Sequence, residues 1–175
     1  MITAEQQKWL DHLSNTDIVS VVPWDNTAEL KFEFVKKQLQ LLLGNDQPIE
    51  HRGATSLGIS GQDEIDVYLP VPPEKFRPTV DLLIPLLGQP RSCYELIRAR
   101  FVLMVEGKHV DIFVVNQNHD DWKNGERFHQ YLLSNPETLE EYRHLKESLS
   151  GHSVREYYQE KIKFINDIME KVKND

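Results

Sequence analysis

The chain opens on a short amphipathic stretch, Thr3 to Leu13, in which Thr3 and Gln6 stand at the spacing of a capping box. Ile18 to Val22 is a β-type run closed by Pro23. A helical period follows, capped by Asn26 or Thr27 and stopped by Gly44, with Leu30, Phe34, Leu39, Leu42 and Leu43 as its expected apolar face. Pro48 to Arg52 reads as a short strand and the glycine-containing stretch Gly53 to Gly61 as a loop. Glu64 to Val71 alternates with period two, as a strand with one buried face must. Pro73 to Leu87 returns to a helical pattern despite Pro78 and Pro85. Tyr94 to Val105 and Lys108 to Val115 read as two strands of a hairpin around Glu106-Gly107. The remainder is helical: Asp120 to Leu133, Pro136 to Ser148 and Ser153 to Lys173, with Gly151 separating the last two. The pattern predicts an α/β (α+β) chain, a mixed β-sheet packed by helices with a helical C-terminal third. One domain over 1–175 is expected, with a core of about 18–116 and C-terminal helices of about 120–173.

Composition narrows the function classes. The net charge of −8 argues against a surface that coats nucleic acid, which needs positive charge to displace counterions. A local basic pocket for one triphosphate remains compatible with it. The single cysteine, Cys93, rules out an intramolecular disulfide and reads as a half-buried small hydrophobe. Met1 to Asp11 is acidic and polar, unlike a signal peptide, and no apolar run approaches the roughly 20 residues that cross a bilayer. A cytoplasmic protein without membrane association is the expectation.

The chemistry concentrates in two segments. Arg52-Gly53-Ala54 precedes Glu64-Ile65-Asp66-Val67, and alternation puts Glu64 and Asp66 on one face with Ile65 and Val67 toward the core. Neighbouring carboxylates repel unless a cation lies between them. Mg²⁺ is the usual hard cation for such oxygens and brings phosphates with it. A turn at Gly53 lets backbone N–H groups approach phosphate. In His109-Val110-Asp111-Ile112, the Glu106-Gly107 turn sets Asp111 opposite Val102, with Arg100 diagonal to it and Arg98 farther along. Asp111 can complete the metal site or take the proton of an attacking hydroxyl; the arginines can grip phosphate. Each feature also has a purely structural reading. Glu64 and Asp66 can be a solvated strand face, Asp111 with Arg100 a cross-strand ion pair, and His51 and His109 hydrogen-bonded strand residues. Trp122, Phe128, Tyr131 and Tyr142 read as helix-packing anchors.

The segment Ile49-Glu50-His51-Arg52-Gly53-Ala54-Thr55-Ser56-Leu57-Gly58 resembles the "EHIGSTSV-G" signature of the GrpB family. Glu64-Ile65-Asp66-Val67 with Val71 is similar to that family's "IIDI…V" strand, and Val21-Val22-Pro23-Trp24-Asp25 to its "V-x-PYD" element. Trp122, Phe128, Tyr131-Leu132, Pro136, Glu141-Tyr142 and Leu145-Lys146 resemble its later region, and Tyr157, Lys161 and Phe164-Ile165 its last helix. The family is grouped with the nucleotidyltransferase superfamily, and a similar domain is fused to some dephospho-CoA kinases. The resemblance implies a nucleotidyltransferase-like fold with a glycine turn leading to a metal-binding strand; it implies no substrate. Several positions depart from the pattern. Ala54 replaces the serine of the Gly-Ser turn, so Thr55 or Ser56 must supply any hydroxyl there. The loop to Asp66 is one residue shorter, Gln62-Asp63 stands where relatives carry Lys-Pro, and Tyr68 removes the usual D-x-D. Asp111 stands where many relatives have histidine.

The combined expectation is a metal-dependent nucleotidyltransferase moving a nucleoside monophosphate from a nucleoside triphosphate to a hydroxyl of a small molecule or protein. Asp66, Glu64 and Asp111 are the catalytic and Mg²⁺-binding candidates. Gly53, Ala54, Thr55, Ser56, Arg98 and Arg100 are the phosphate-binding ones. The alternative is a non-catalytic nucleotide-binding or protein-interaction module on the same fold.

Overall fold

A computed structural model describes residues 1–174. They form seven helices and five strands: α1 (Ala4–Leu10), α2 (Ala28–Leu43), β1 (Glu50–Arg52), α3 (Gly53–Ser56), β2 (Glu64–Val71), α4 (Pro73–Leu87), β3 (Ser92–Tyr94), β4 (Arg98–Val105), β5 (Lys108–Asn116), α5 (Asp120–Ser134), α6 (Pro136–Ser148) and α7 (Val154–Asn174). The chain divides into two compact units. One comprises 24–58 and 63–123; the other comprises 1–23, 59–62 and 124 onward.

The first unit holds the sheet, ordered β1-β2-β5-β4-β3. β2 and β5 run parallel; every other neighbouring pair is antiparallel. A mixed sheet therefore forms as the alternation predicts. On its apolar face, Ile65, Val67, Leu69, Val110, Ile112 and Val114 are fully buried in one cluster with Phe32, Val35 and Leu39 of α2 and Phe76, Val80 and Leu83 of α4. Removing this much apolar surface from water is the main stabilising term. It also holds α4 together across Pro78 and Pro85, neither of which can donate a backbone hydrogen bond. Pro70 is tolerated inside β2 because β1 pairs only with Asp66, Val67 and Tyr68. The Glu106-Gly107 turn has φ of 48° and 78°, the paired positive values of a tight hairpin, and Asp111 lies opposite Val102 as expected.

Four local expectations are corrected. Ile18 to Val22 makes only isolated bridges, Ile18 with Ser153 and Val22 with Gly61, and no strand. Of the expected apolar face of α2, Leu39 is buried and Leu43 packs against the core, but Leu30, Phe34 and Leu42 point to solvent and the buried face continues instead through Ala28, Phe32 and Val35. Two apolar stripes compete on this helix, and the sheet takes the one containing Phe32. Gly53 to Ser56 is a helical turn rather than loop. Cys93 is exposed because β3 is an edge strand.

In the second unit, Val19, Leu149 and Tyr157 form a small core. Tyr142 stacks on Phe164 and meets Phe128 edge-on, so those two predicted anchors do pack helices. The Arg155 guanidinium donates to the carbonyls of Asp11 and Leu13. The capping box of α1 is present: Thr3 Oγ1 accepts from the Gln6 amide at 3.2 Å and Gln6 Oε1 from the Thr3 amide at 2.9 Å. Among the described residues no helix is long and apolar enough to cross a membrane.

Candidate functional site

The polar face of the sheet carries the predicted residues. Glu64 and Asp66 alternate with buried Ile65 and Val67, and the parallel register sets Glu64 beside His109 and Asp66 beside Asp111. One ligand atom from each of Glu64, His109 and Asp111 lies within 4.8 Å of the others. Asp111 is 3% exposed. Its Oδ1 accepts from His109 Nε2 at 2.9 Å and its Oδ2 from Arg100 at 2.8 Å.

These spacings can be tested against a divalent cation. With metal–oxygen bonds of about 2.1 Å, adjacent octahedral donors stand about 3 Å apart and opposite ones about 4.2 Å. The His109–Asp111 separation already matches an adjacent pair, and the third donor, within 4.8 Å of both, has less than about 2 Å to close. The residues therefore fit an ion.

The turn at Gly53 meets Asp66, which the group of Glu64, His109 and Asp111 does not include. Gly53 has φ of +73°, and a Cβ placed there would lie 1.9 Å from Asp66 Oδ2. Glycine is required both for the left-handed backbone and for the space the carboxylate occupies. The hydroxyls of the turn are already engaged: Ser56 Oγ donates to the Gly53 carbonyl at 2.9 Å, and Thr55 Oγ1 lies 3.0 Å from His51 Nε2. Backbone N–H groups are thus the groups of this turn best suited to a phosphate. Of the two arginines, Arg100 is paired with Asp111, whereas Arg98 lies over the Phe113 ring at 5.5 Å.

An aromatic stack flanks the acids. Phe113 stacks on Tyr68 at 4.6 Å, Tyr68 meets Trp122 at 5.6 Å, and the Arg52 guanidinium lies 4.9 Å from the Trp122 ring. Arg52 is buried, with Nε and one terminal nitrogen on Glu50 Oε2 at 2.9 and 2.5 Å. The stack lies two residues beyond Asp66 and Asp111 along β2 and β5, on the opposite side of them from Glu64 and His109. A cavity of about 330 Å³ lies elsewhere, beyond the other ends of β2 and β5, among Gln47, Pro70, Pro72, Lys75 and Gln117. It includes none of the predicted residues.

Two histidines gain weight from the geometry. His109 joins the metal-competent cluster; its signal in the sequence was the H-x-D alternation, which places it on the face of Asp111. His51 stacks on Phe32 at 4.5 Å, and its Nδ1 lies 2.8 Å from Glu29 Oε2. With Thr55 on Nε2, it ties the Gly53 turn to α2. Burial holds its pKa below the ordinary 6.5 although Glu29 pulls the other way. For a depressed base the unfolded chain takes up the proton first. The stability it contributes is present above pH 6.5 and lost as pH falls. Denaturant midpoints between pH 7 and 5 should fall accordingly, and this component should vanish in His51→Gln. That variant should also lose about 1–2 kcal/mol at pH 7 from its two hydrogen bonds.

Comparison with known proteins agrees with this architecture. The sequence model of the family described as "GrpB protein" matches residues 18–171. The crystal structure of conserved protein GrpB from Enterococcus faecalis superposes with a TM-score of 0.69 at 20% identity. The match covers 87% of this chain and 98% of that one. At that identity the likeness speaks for the fold alone. A search of the curated proteins finds no match.

Proposed function

The chain belongs to the GrpB family, and from that premise we propose that its sheet-bearing unit is a metal-dependent nucleotidyltransferase site. Glu64, Asp66 and Asp111 hold a divalent cation. The backbone of Gly53 to Ser56 receives the phosphates of a nucleoside triphosphate. A hydroxyl of the acceptor forms the bond to the α-phosphorus, the bond to pyrophosphate breaks, and the hydroxyl proton passes to a carboxylate of the cluster. The cation, when bound, neutralises charge on the phosphate oxygens.

The observation that carries this reading is the contact between the two halves of the motif. The Asp66 carboxylate occupies the space that glycine leaves open at position 53, and Asp66 stands beside Asp111 on adjacent parallel strands. A phosphate turn and a metal clamp must be neighbours for phosphoryl chemistry.

Isothermal titration with ATP and Mg²⁺ tests it. The native chain should bind in a metal-dependent manner and release pyrophosphate on supplying an acceptor hydroxyl. Asp66→Asn should lower affinity by tenfold or more and abolish turnover, on the order of an oxygen ligand lost from a metal site. Indifference of triphosphate binding to Asp66 would falsify the reading.

A second reading, a nucleotide-binding module without turnover, is favoured by the state of Asp111. Both of its oxygens are engaged and it is almost sealed from solvent. Metal-dependent binding with no pyrophosphate release would select it.

A further inference from the structure

His109 alters the chemistry that three carboxylates alone would offer. Its Nε2 lies 2.9 Å from Asp111 Oδ1, the spacing of two adjacent ligands on one ion. In the structure a single proton bridges these atoms. A cation set between them replaces that proton and keeps both heavy atoms in place. Glu64 closes the set from the next strand, directly beside His109 in the register. Arg100 holds the other oxygen of Asp111 at 2.8 Å and so orients Oδ1 toward the imidazole, as partners behind metal ligands do.

Carboxylate oxygens alone suit Mg²⁺, whereas an imidazole donor suits first-row transition cations and little favours Mg²⁺. We propose that His109 joins Glu64 and Asp111 as a ligand, and that the site thereby binds a first-row transition cation of the Mn²⁺ or Zn²⁺ class in preference to Mg²⁺. The ion's role in phosphoryl transfer rests on the reading above; its binding does not. The Mg²⁺ expected from the sequence rested on the three carboxylates, with His109 read as a hydrogen-bonded strand residue.

Mn²⁺ alone is the probe, followed by paramagnetic resonance with Mg²⁺ as competitor. The native chain should bind Mn²⁺ at a single class of site, and Mg²⁺ should displace it only at more than about tenfold excess. His109→Ala should weaken Mn²⁺ by about tenfold or more and let Mg²⁺ compete on nearly equal terms, in line with the effect of losing a supporting or direct metal partner. His109 is about one-third exposed, at 36% of its side chain, so thermal melts should show the variant folded. Asp111→Asn, as a second variant, should weaken Mn²⁺ as well. No Mn²⁺ binding, unchanged Mn²⁺ affinity in folded His109→Ala, or one-for-one competition by Mg²⁺ in the native chain overturns the proposal. The two ideas fail separately. His109-dependent Mn²⁺ binding without any triphosphate binding removes the nucleotidyltransferase reading and keeps the cation site. Asp66-dependent triphosphate binding with Mn²⁺ indifferent to His109 does the reverse.

Discussion

Gly53→Ala should destabilise the chain by about 3 kcal/mol, while Gly58→Ala, five residues on, should cost only about 1 kcal/mol. Both glycines have positive φ, +73° and +69°, so both substitutions incur the left-handed penalty of about 1–2 kcal/mol for a residue with a Cβ. They differ in what the new methyl meets. At Gly58 nothing lies within 4 Å. At Gly53 the methyl meets Asp66 Oδ2 at 1.9 Å, Cγ at 2.9 Å and Cβ at 3.3 Å. Rotating the carboxylate about its last bond does not clear the Cγ contact, so the whole side chain or the turn must move. Overpacking of this kind adds about 1–3 kcal/mol. Urea midpoints of the two variants measure the difference directly. Equal losses at the two positions would show that the backbone alone demands glycine and that the Asp66 contact is slack. Because the displaced group is Asp66, Gly53→Ala should also remove metal-dependent triphosphate binding, which Gly58→Ala should leave intact.

That pairing also shows what could be read from residues in order. Alternation alone places Glu64 and Asp66 on one face, because the period of a strand is two and β2 is buried on its other side. The hairpin register follows from a two-residue turn, so the neighbourhood of Asp111 and Arg100 was legible before any coordinate. The parallel pairing of β2 with β5 was not, since no local pattern specifies which distant strands become neighbours. That pairing is what sets Glu64 beside His109. The turn posed a different problem. Three glycines between 53 and 61 suggest a loop, yet four residues wind into a helical turn because Thr55 and Ser56 find partners within reach, in His51 and the Gly53 carbonyl. On α2 the choice between the Leu30–Phe34 stripe and the Phe32–Val35–Leu39 stripe is made by the sheet, through burial, and helical period alone carries no information about it. Ile18 to Val22 has strand-forming residues, but it joins residues 150–153 and Gly61 only through isolated bridges and single hydrogen bonds, so no ladder forms.

Lys108→Met should lower stability by about 2 kcal/mol at pH 7, and the deficit should shrink toward both acid and alkaline pH. Lys108 opens β5 with its side chain 7% exposed, and its ammonium reaches Asp63 and, at 2.9 Å, Asp25 Oδ2. Methionine keeps the buried stem and removes the charge, which leaves two carboxylates facing one another's field. Breaking a fully buried pair costs about 3–5 kcal/mol, but Asp25 and Asp63 are 28% and 53% exposed, and water screens part of that loss. The hydroxyl and the amide of Thr27, then Lys108, hold the Asp25 carboxyl well below its ordinary 3.8. A depressed acid stabilises the fold above its unfolded pKa, so this contribution fades as pH drops beneath about 3.8. Burial pulls Lys108 down, but its hydrogen bonds to Asp63 and Asp25 outweigh that and hold it above 10.5. A raised base stabilises the fold below its unfolded pKa and stops doing so as pH climbs past its folded value. Native stability should therefore form a plateau between these limits. The variant should sit lower across the plateau, lose the alkaline edge, and keep the part of the acid edge that Thr27 supplies. Denaturant midpoints at pH 3, 7 and 11 resolve the three regimes. A constant offset at all three values would mean that the side chain acts by packing alone. The physical content of the plateau is a clamp: Asp25, just ahead of α2, and Asp63, which enters β2 at a φ of +65°, are both fixed to the start of the strand that carries His109 and Asp111. Loosening it in Lys108→Met should thus weaken Mn²⁺ binding even though Lys108 is no ligand.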